Sequence, residues 1–598
     1  MDAVQAVQNE GSTPYTCCPI DKSSKEARLA IIIPGSWDEP INCIVKVVPL
    51  SVPYPEVLSY AWGDPDITDT IMLNGHKVSV TINLMTALRQ LRYTDKTREV
   101  WIDAICIDQS NFEERAHQVS QMSLIYGEAR KVVVWLGAND DYADLAFETL
   151  KAMGKDQALH FNTDLEPLIP LAPFREQHWE ACLKILTAPW WDRIWTVQEA
   201  VLPSNLTFVC GKYSLHGNIL FNGVQNYMHH GNLSCCSHFL QVSTTSQIRS
   251  VFGQLFDLVT GRKRNDAIDF SKTIFDFSYR QSYDLRDKVY GLLALSTGAY
   301  RDLVAADYTA KVEDVYMKTC LELMRRSNSL SLFDLRADEE PTALRLPSWV
   351  TDWSKRPNHL LRAVADNRVR ALRLYSASGC TRADVRFVEP DNLIVSGRVL
   401  GKIASVASGP TPTWTMDPED MATICSAWHN YLNLKWTIIQ PKYPALQDSL
   451  TMVSRLIVGD ALRHSDAQNQ ISFLSVSPSF CAETFPKWQE WMAAGRQSVN
   501  SISADLINYN NSLYTTIVGR RLFVTEAGLV GIGPSNIKEG DEAVILCGGR
   551  CPYILQPSSD PKERSKQTYR LLGNSYIHGV MNGEAMTAER SMCTLTLI

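Results

Sequence analysis

The 598-residue chain has no stretch of about 18 consecutive apolar residues, so no membrane-spanning helix is expected. Its longest apolar runs, such as Val132 to Gly137, have only strand length. Residues 1–28 are polar and lack the apolar centre of a secretory leader. A basic excess is also missing. Lys and Arg total 58 against 65 Asp and Glu, giving a net charge of −7. That balance argues against nucleic acid as the partner, because phosphate binding needs a basic footprint. The one compact basic run, Gly261 to Arg264, reads as a solvated loop. The 15 cysteines have no regular spacing. Without an export signal they are expected to stay reduced, which places the chain in the cytoplasm. There is no G-x-x-x-x-G-K-[ST], no H-E-x-x-H and no G-x-S-x-G, which removes the P-loop, zincin and nucleophile-elbow readings. Gly528 to Pro534 (GLVGIGP) lacks the last glycine of a dinucleotide fingerprint and sits among strands.

What is present is an ordinary globular composition, 45% hydrophobic and 21% charged, long enough for three or four domains at roughly 150 residues each. Val57 to Gly63 reads as a short buried strand, and its end runs into Trp62-Gly63-Asp64. Ile71 to Val80 reads as a hairpin, because Asn74-Gly75 supplies a two-residue turn with positive φ. Asn83 is placed as the cap of a helix with Leu84, Leu88 and Leu91 on one face. Glu99 to Ile107 barely alternates and reads as a strand buried on both faces. Ser110 to Glu113 has the capping-box pattern, and the helix after it places Phe112, Val119, Met122, Tyr126 and Ala129 inward. Val132 to Leu136 is the next strand. Strand, helix and strand in this succession form a βαβ unit, so the sheet is expected to be mostly parallel. Ligands of such sheets bind beyond the carboxyl ends of the strands. Trp62, Gly63, Asp64 and Asp103 all fall at such ends.

The remainder divides by pattern. Residues 1–40 form a lead-in, 41–215 the α/β domain, and 216–369 a helical middle region. Residues 370–409 and 511–598 are rich in short strands and Gly turns, which predicts a small antiparallel β module, barrel or sandwich. Residues 410–510 read as a helical insertion into it.

Three blocks carry a resemblance: LSYAWGD (58–64); WIDAICIDQ with EERAHQVSQMSLIYGEARKVVVWLG (101–137); and WDRIWTVQEAVL (191–202), followed by a strand ending in CG. In this order and spacing they resemble the fungal heterokaryon incompatibility (HET) domain over about residues 41–215. Later pieces, among them YDLRDKVYGLLAL, LPSWVTDWS, GRRLFVTEAGLVGIGP and YRLLGNSYIHGVMNGEAM, are similar to the chain that often follows that domain. The family more often has Asn where this sequence has Asp108. The resemblance implies a role in non-self recognition between fungal cells, with cell death as the output. It also implies a distant likeness of the N-terminal domain to TIR (flavodoxin-like) domains. Several TIR domains hydrolyse NAD with a glutamate on a helix, and IWTVQEA nominates Glu199.

Cleavage of the nicotinamide–ribose bond builds positive charge on the sugar, which a nearby carboxylate stabilises. On this reading Glu199 is the catalytic carboxylate and Asp103 a second acidic group that orients a hydroxyl or positions Arg193. Trp62 or Trp195 stacks on a ring. Ser59, Tyr60, Asp64 and Arg193 hold ribose or phosphate, and Gly63 lets the backbone approach. NAD is then a substrate, and neither a cofactor nor a metal is expected.

Plainer readings stand beside these. Glu199 as an exposed helix residue paired with Arg193, Asp103 as a loop-fixing acceptor, Trp62 as core and Cys106 as an inert thiol are each ordinary. His229, His230, Cys235, Cys236 and His238 form a His/Cys cluster. Adjacent HH and CC pairs miss the usual zinc spacings, so a polar loop is expected. Two further functions compete: a non-enzymatic signalling module with a protein partner or a second copy, and a small-molecule enzyme of secondary metabolism.

Overall fold

A computed structural model describes residues 13–51, 54–139, 141–155, 160–161, 176–232, 236, 246–263, 270–296, 298–300, 302–335, 343–355, 359–446, 448–465, 471–495, 503–558, 568–586 and 592–598. The chain forms two compact units, Met1–Ile268 with Asp276–Ala310, and Asp269–Phe275 with Lys311–Ile598. The architecture is mixed α/β. Among the described residues no helix is long and apolar enough to cross a membrane.

The first unit contains two sheets where one mostly parallel sheet was expected. Strands β1 (Glu26–Ile32), β2 (Asn42–Pro49), β4 (Thr68–Leu73), β5 (His76–Thr81) and β6 (Arg98–Val100) line up in the order β5-β4-β2-β1-β6. All these pairings are antiparallel except β2 with β4. The second sheet has the order β3 (Val57–Tyr60), β7 (Val132–Trp135), β8 (Leu206–Cys210), β9 (Tyr213–His216). There β3, β7 and β8 run parallel and β9 turns back. The expected βαβ unit from Glu99–Ile107 through the helix to Val132–Leu136 is not formed within one sheet, because β6 joins the antiparallel sheet; the parallel pairing is instead among β3, β7 and β8. Both β3 and β7 are buried at every position, as their unalternating apolar sequences require.

Several local expectations shift. The Asn74-Gly75 hairpin forms, with φ of 49° and 82° at its two turn residues. The strand expected over Glu99 to Ile107 stops early. Arg98–Val100 pairs with β1, Trp101 bridges to Val57, and Asp103–Cys106 is one helical turn. Thr81, not Asn83, caps the helix Ile82–Leu91, accepting from the backbone of Leu84. Asn111, one residue past the expected cap, accepts from Glu114 at the start of the helix Phe112–Gly127. That helix buries Met122 and Tyr126, half-buries Val119 and leaves Phe112 exposed, while Ala129 is buried just past its end. Its inward stripe also carries Glu114, Gln118 and Gln121. Glu114 is matched by Arg28 of β1 at 2.5 Å, a pairing that no local pattern signals.

In the second unit β10 (Asn392–Val406) pairs with β14 (Cys593–Leu597) along its first part and with β11 (Glu542–Leu546) further on. Strands β11, β12 (Pro552–Pro557), β13 (Thr568–Asn574), β14 and β10 thus close on themselves. Leu400, Ile403, Phe523, Ile545, Ile554 and Ile577 fill the core of this unit. Ala371 to Leu374, expected as strand, belong to the end of the helix His359–Leu372 and the turn after it. Between 410 and 510 lie the helices Pro418–Ile439, Ser449–Leu456 and Pro478–Ala493, with an unforeseen hairpin, Ala461–Ser465 with Ile471–Ser475, between the last two.

Candidate active site at the strand ends

The site is built around the end of β3. Ser59 points into the protein and is 1% exposed. Its hydroxyl donates to Oε2 of Glu199 and accepts from Nε1 of Trp190 at 2.6 Å. Both partners come from one segment far along the chain. Trp190 lies in the short 3-10 turn Pro189–Asp192, and Glu199 in the six-residue helix Thr196–Val201. That helix is too short to stand on propensity alone. Tertiary bonds hold it: Thr196 Oγ1 donates to the carbonyl of Arg193 at 2.8 Å and accepts from Arg280 Nη1 at 3.0 Å. The Ile194 amide donates to the carbonyl of Gln281 at 2.8 Å.

After Tyr60 the chain turns at Gly63, whose φ of +80° suits glycine. Asn83 pins this corner. Its Nδ2 donates to the carbonyl of Ala61 at 2.5 Å, and its Oδ1 accepts from Trp135 Nε1 at 3.0 Å. The ends of β3 and β7 are thereby tied together by one amide. Trp62 is 40% exposed and donates its indole N–H to Asp103 Oδ2 at 2.8 Å. The other oxygen of Asp103 accepts from the Ala104 amide at 2.7 Å. Arg193 donates to the carbonyl of Tyr60.

The result is a buried floor of Ser59, Tyr60, Tyr126 and Glu199 beneath a more open rim of Trp62, Asp103 and Arg193. Burial pushes the Glu199 carboxyl up to about 7. The Arg193 guanidinium and the Ser59 hydrogen bond oppose that rise, while Asp103 adds to it. The Tyr126 phenol is pushed well above its usual value, first by burial and then by the negative charge of Glu199 and Asp103. A carboxyl balanced near neutrality, beside a cation and under an aromatic rim, can stabilise positive charge once ionised.

Ser59, Tyr60, Trp62, Asp103, Arg193 and Glu199 thus meet at one corner of the parallel sheet. The exposed reading of Glu199 fails, since the residue is 3% exposed. Asp103 fixes its loop, as the plainer reading has it, while also facing the cluster. Trp62 is not core. Asp64 is exposed and accepts from the Asp66 amide within its own turn at 3.0 Å. Trp195 is directed elsewhere: its indole N–H donates to Asp287 Oδ2 at 3.0 Å. Cys106 is fully buried, with its thiol pushed up to about 12, which leaves it inert.

Three contributors escape the sequence reading. Trp190 belongs to the conspicuous Trp190-Trp191 pair, but nothing local aims it at Ser59. Tyr126 reads only as an inward helix residue. Asp287 lies in the block YDLRDKVYGLLAL, and its carboxyl is pushed up to about 6, mainly by burial. It holds Trp195 and also accepts from the Tyr308 hydroxyl at 2.8 Å.

Two family models match the chain. The one described as heterokaryon incompatibility protein (HET) covers residues 56–199, from just before β3 to the buried glutamate. The one described as the Het-6 beta-barrel domain covers residues 491–595. The chain is 23% identical to heterokaryon incompatibility protein 6, OR allele, of Neurospora crassa, over 96% of this chain and 97% of that protein. No solved structure gives a significant match.

Proposed function

We propose that this chain, which matches the heterokaryon incompatibility (HET) and Het-6 beta-barrel family models and resembles an incompatibility protein along its length, acts in fungal non-self recognition and triggers cell death by cleaving a nicotinamide nucleotide. The carboxylate of Glu199 would stabilise the sugar cation as the bond from nicotinamide to C1′ of ribose breaks. Nicotinamide leaves with the bonding pair, and water adds to C1′ and loses a proton. Ser59 fixes one Glu199 oxygen, Arg193 takes phosphate charge, and Trp62 covers the base. The TIR-like character of the domain is part of this proposal.

The observation that carries the reading is the convergence of Glu199 with Ser59 at the carboxyl end of β3, where parallel sheets bind ligands. The test incubates purified full-length protein with NAD and follows nicotinamide release. Wild type is expected to release nicotinamide. Glu199→Gln, which keeps shape and hydrogen bonding, is expected to lose at least about 100-fold, the scale of removing one electrostatic stabiliser. Equal rates in the two proteins remove Glu199 from the chemistry.

One observation favours a second reading. The Glu199 side chain is enclosed, and its Ser59–Trp190 relay is complete without a ligand. On that reading the cluster is a structural keystone, and the domain signals by binding a protein partner or another copy of itself. Killing of transformed fungal cells that persists in the folded Glu199→Gln variant, with no loss of NAD, selects the second reading over the first.

A further inference from the structure

Away from the strand-end corner, the first unit brings together three side chains that bind metals well. They are His160, which follows the helix Ala143–Lys155; His230, near the end of the helix Gly217–Asn232; and Cys236. One ligand atom from each lies within 4.8 Å of the other two. His230 is 3% exposed and Cys236 fully buried. Linear spacing hides this group, because His160 is far upstream of the HH and CC pairs that the sequence displays. Only the packing of the two helices makes His160 a neighbour.

The distances fit one ion. Tetrahedral zinc, with Zn–S of about 2.3 Å and Zn–N of about 2.0–2.1 Å, spaces its sulfur and nitrogen ligands about 3.5 Å apart. Nδ1 of His160 stands 3.6 Å from Sγ of Cys236. The imidazole rings of His160 and His230 are 5.0 Å apart at 70°, so they approach edge to face rather than stacking. The sulfur also has an outer partner: the Phe161 amide donates to Sγ at 3.3 Å and fixes its direction. Phe161, Trp179 and Tyr227 pack beside the group, with ring centroids 6.0–6.3 Å apart. A thiolate with two imidazoles in a water-poor setting suits zinc better than magnesium or calcium, which take oxygen ligands.

The geometry points to a zinc site that ties the end of one helix to the segment after another, with three protein ligands, His160, His230 and Cys236, and a fourth position left to water. Full burial of the sulfur makes it a poor nucleophile for a substrate, so the role is to hold the fold. The site is independent of the strand-end chemistry and stands whether or not Glu199 is catalytic.

The test is elemental analysis of the full-length protein, purified under reducing conditions without added metal, alongside Cys236→Ser and His160→Gln. Stoichiometric zinc is expected in the parent, with loss of most of it in each variant. Cobalt loaded into the chelator-stripped parent is expected to show a thiolate-to-cobalt charge-transfer absorption that is absent from Cys236→Ser. Chelator should lower the melting temperature of the parent and leave that of His160→Gln unmoved. If Cys236→Ser does not fold, the half-buried His160→Gln and the parent's cobalt spectrum decide. No zinc in the parent, another metal in its place, zinc retained by both variants, or cobalt without a thiolate band each overturns the assignment.

Discussion

Glu199 is an acid held where water is scarce, and its stability effect has a definite sign. Its folded value of about 7 lies above the usual 4.5. The folded state therefore keeps its proton where the unfolded state has lost it, between those two values. Stability from this residue is fully present below about pH 4.5 and is lost as pH rises through 7. The penalty above pH 7 is about 3 kcal/mol at the usual 1.36 kcal/mol per unit. Glu199→Gln should accordingly unfold at higher denaturant than wild type at pH 8, and the gap should close at pH 5. A gap that is constant with pH would show that Glu199 does not titrate in this window. Ser59→Ala works in the opposite direction. It strips the partner from both the Trp190 N–H and the Glu199 carboxyl, and unpaired buried groups cost about 1–3 kcal/mol each. Urea unfolding should show a loss of about 2–6 kcal/mol over the two groups, largest at high pH, where Glu199 is charged.

At the scale of elements, the helix Phe112–Gly127 shows how one buried ion pair sets a layer. Arg28 on β1 meets both oxygens of Glu114, at 2.5 and 3.1 Å. It also donates to the carbonyls of Cys18 and Cys106, at 2.8 and 3.2 Å. Strand, lead-in, helical turn and helix are thereby fixed by a single guanidinium. Glu114→Ala leaves that cation buried without its counter-charge, which typically costs 3–5 kcal/mol. The expected readout is a drop of that order in unfolding free energy, with faster hydrogen exchange along the helix and β1. Asn83 does similar work at the site corner. Asn83→Leu would leave the Ala61 carbonyl and the Trp135 indole without their partner. Trp62 should then lose its fixed environment, measurable as a change in near-ultraviolet circular dichroism at little cost to helix content. An unchanged aromatic spectrum would argue against the pinning role.

For the whole molecule, buried carboxyls with raised values occur in both units. Glu199 and Asp287 lie in the first, and Asp334, at about 6, in the second. By the same sign argument these carboxyls withdraw stability as pH rises from 5 to 8, opposed in the second unit by His429, whose value burial lowers. The unfolding midpoint or midpoints of the full chain should therefore fall across that range; a flat or rising profile would refute the burial argument. Much of this architecture is legible in the sequence where the governing interaction is local. The unalternating runs of β3 and β7, the Asn74-Gly75 turn and the short C-terminal strands follow from period, β-branching and turn chemistry. The same holds for the candidate site to the extent that Trp62, Gly63 and Asp103 sit where apolar runs stop. Trp190 over Ser59, Arg28 beneath Glu114, Trp195 turned toward Asp287 and His160 beside Cys236 depend on contacts between segments distant along the chain. No period or spacing encodes them. The sequence alone determined the elements whose pattern is local, among them β3, β7 and the Asn74-Gly75 hairpin, and where polar chemistry interrupts them, because those choices are made over a few neighbouring residues. Tertiary packing alone decided which polar groups are buried together and how far burial moves their protons, because desolvation and pairing are set by neighbours in space.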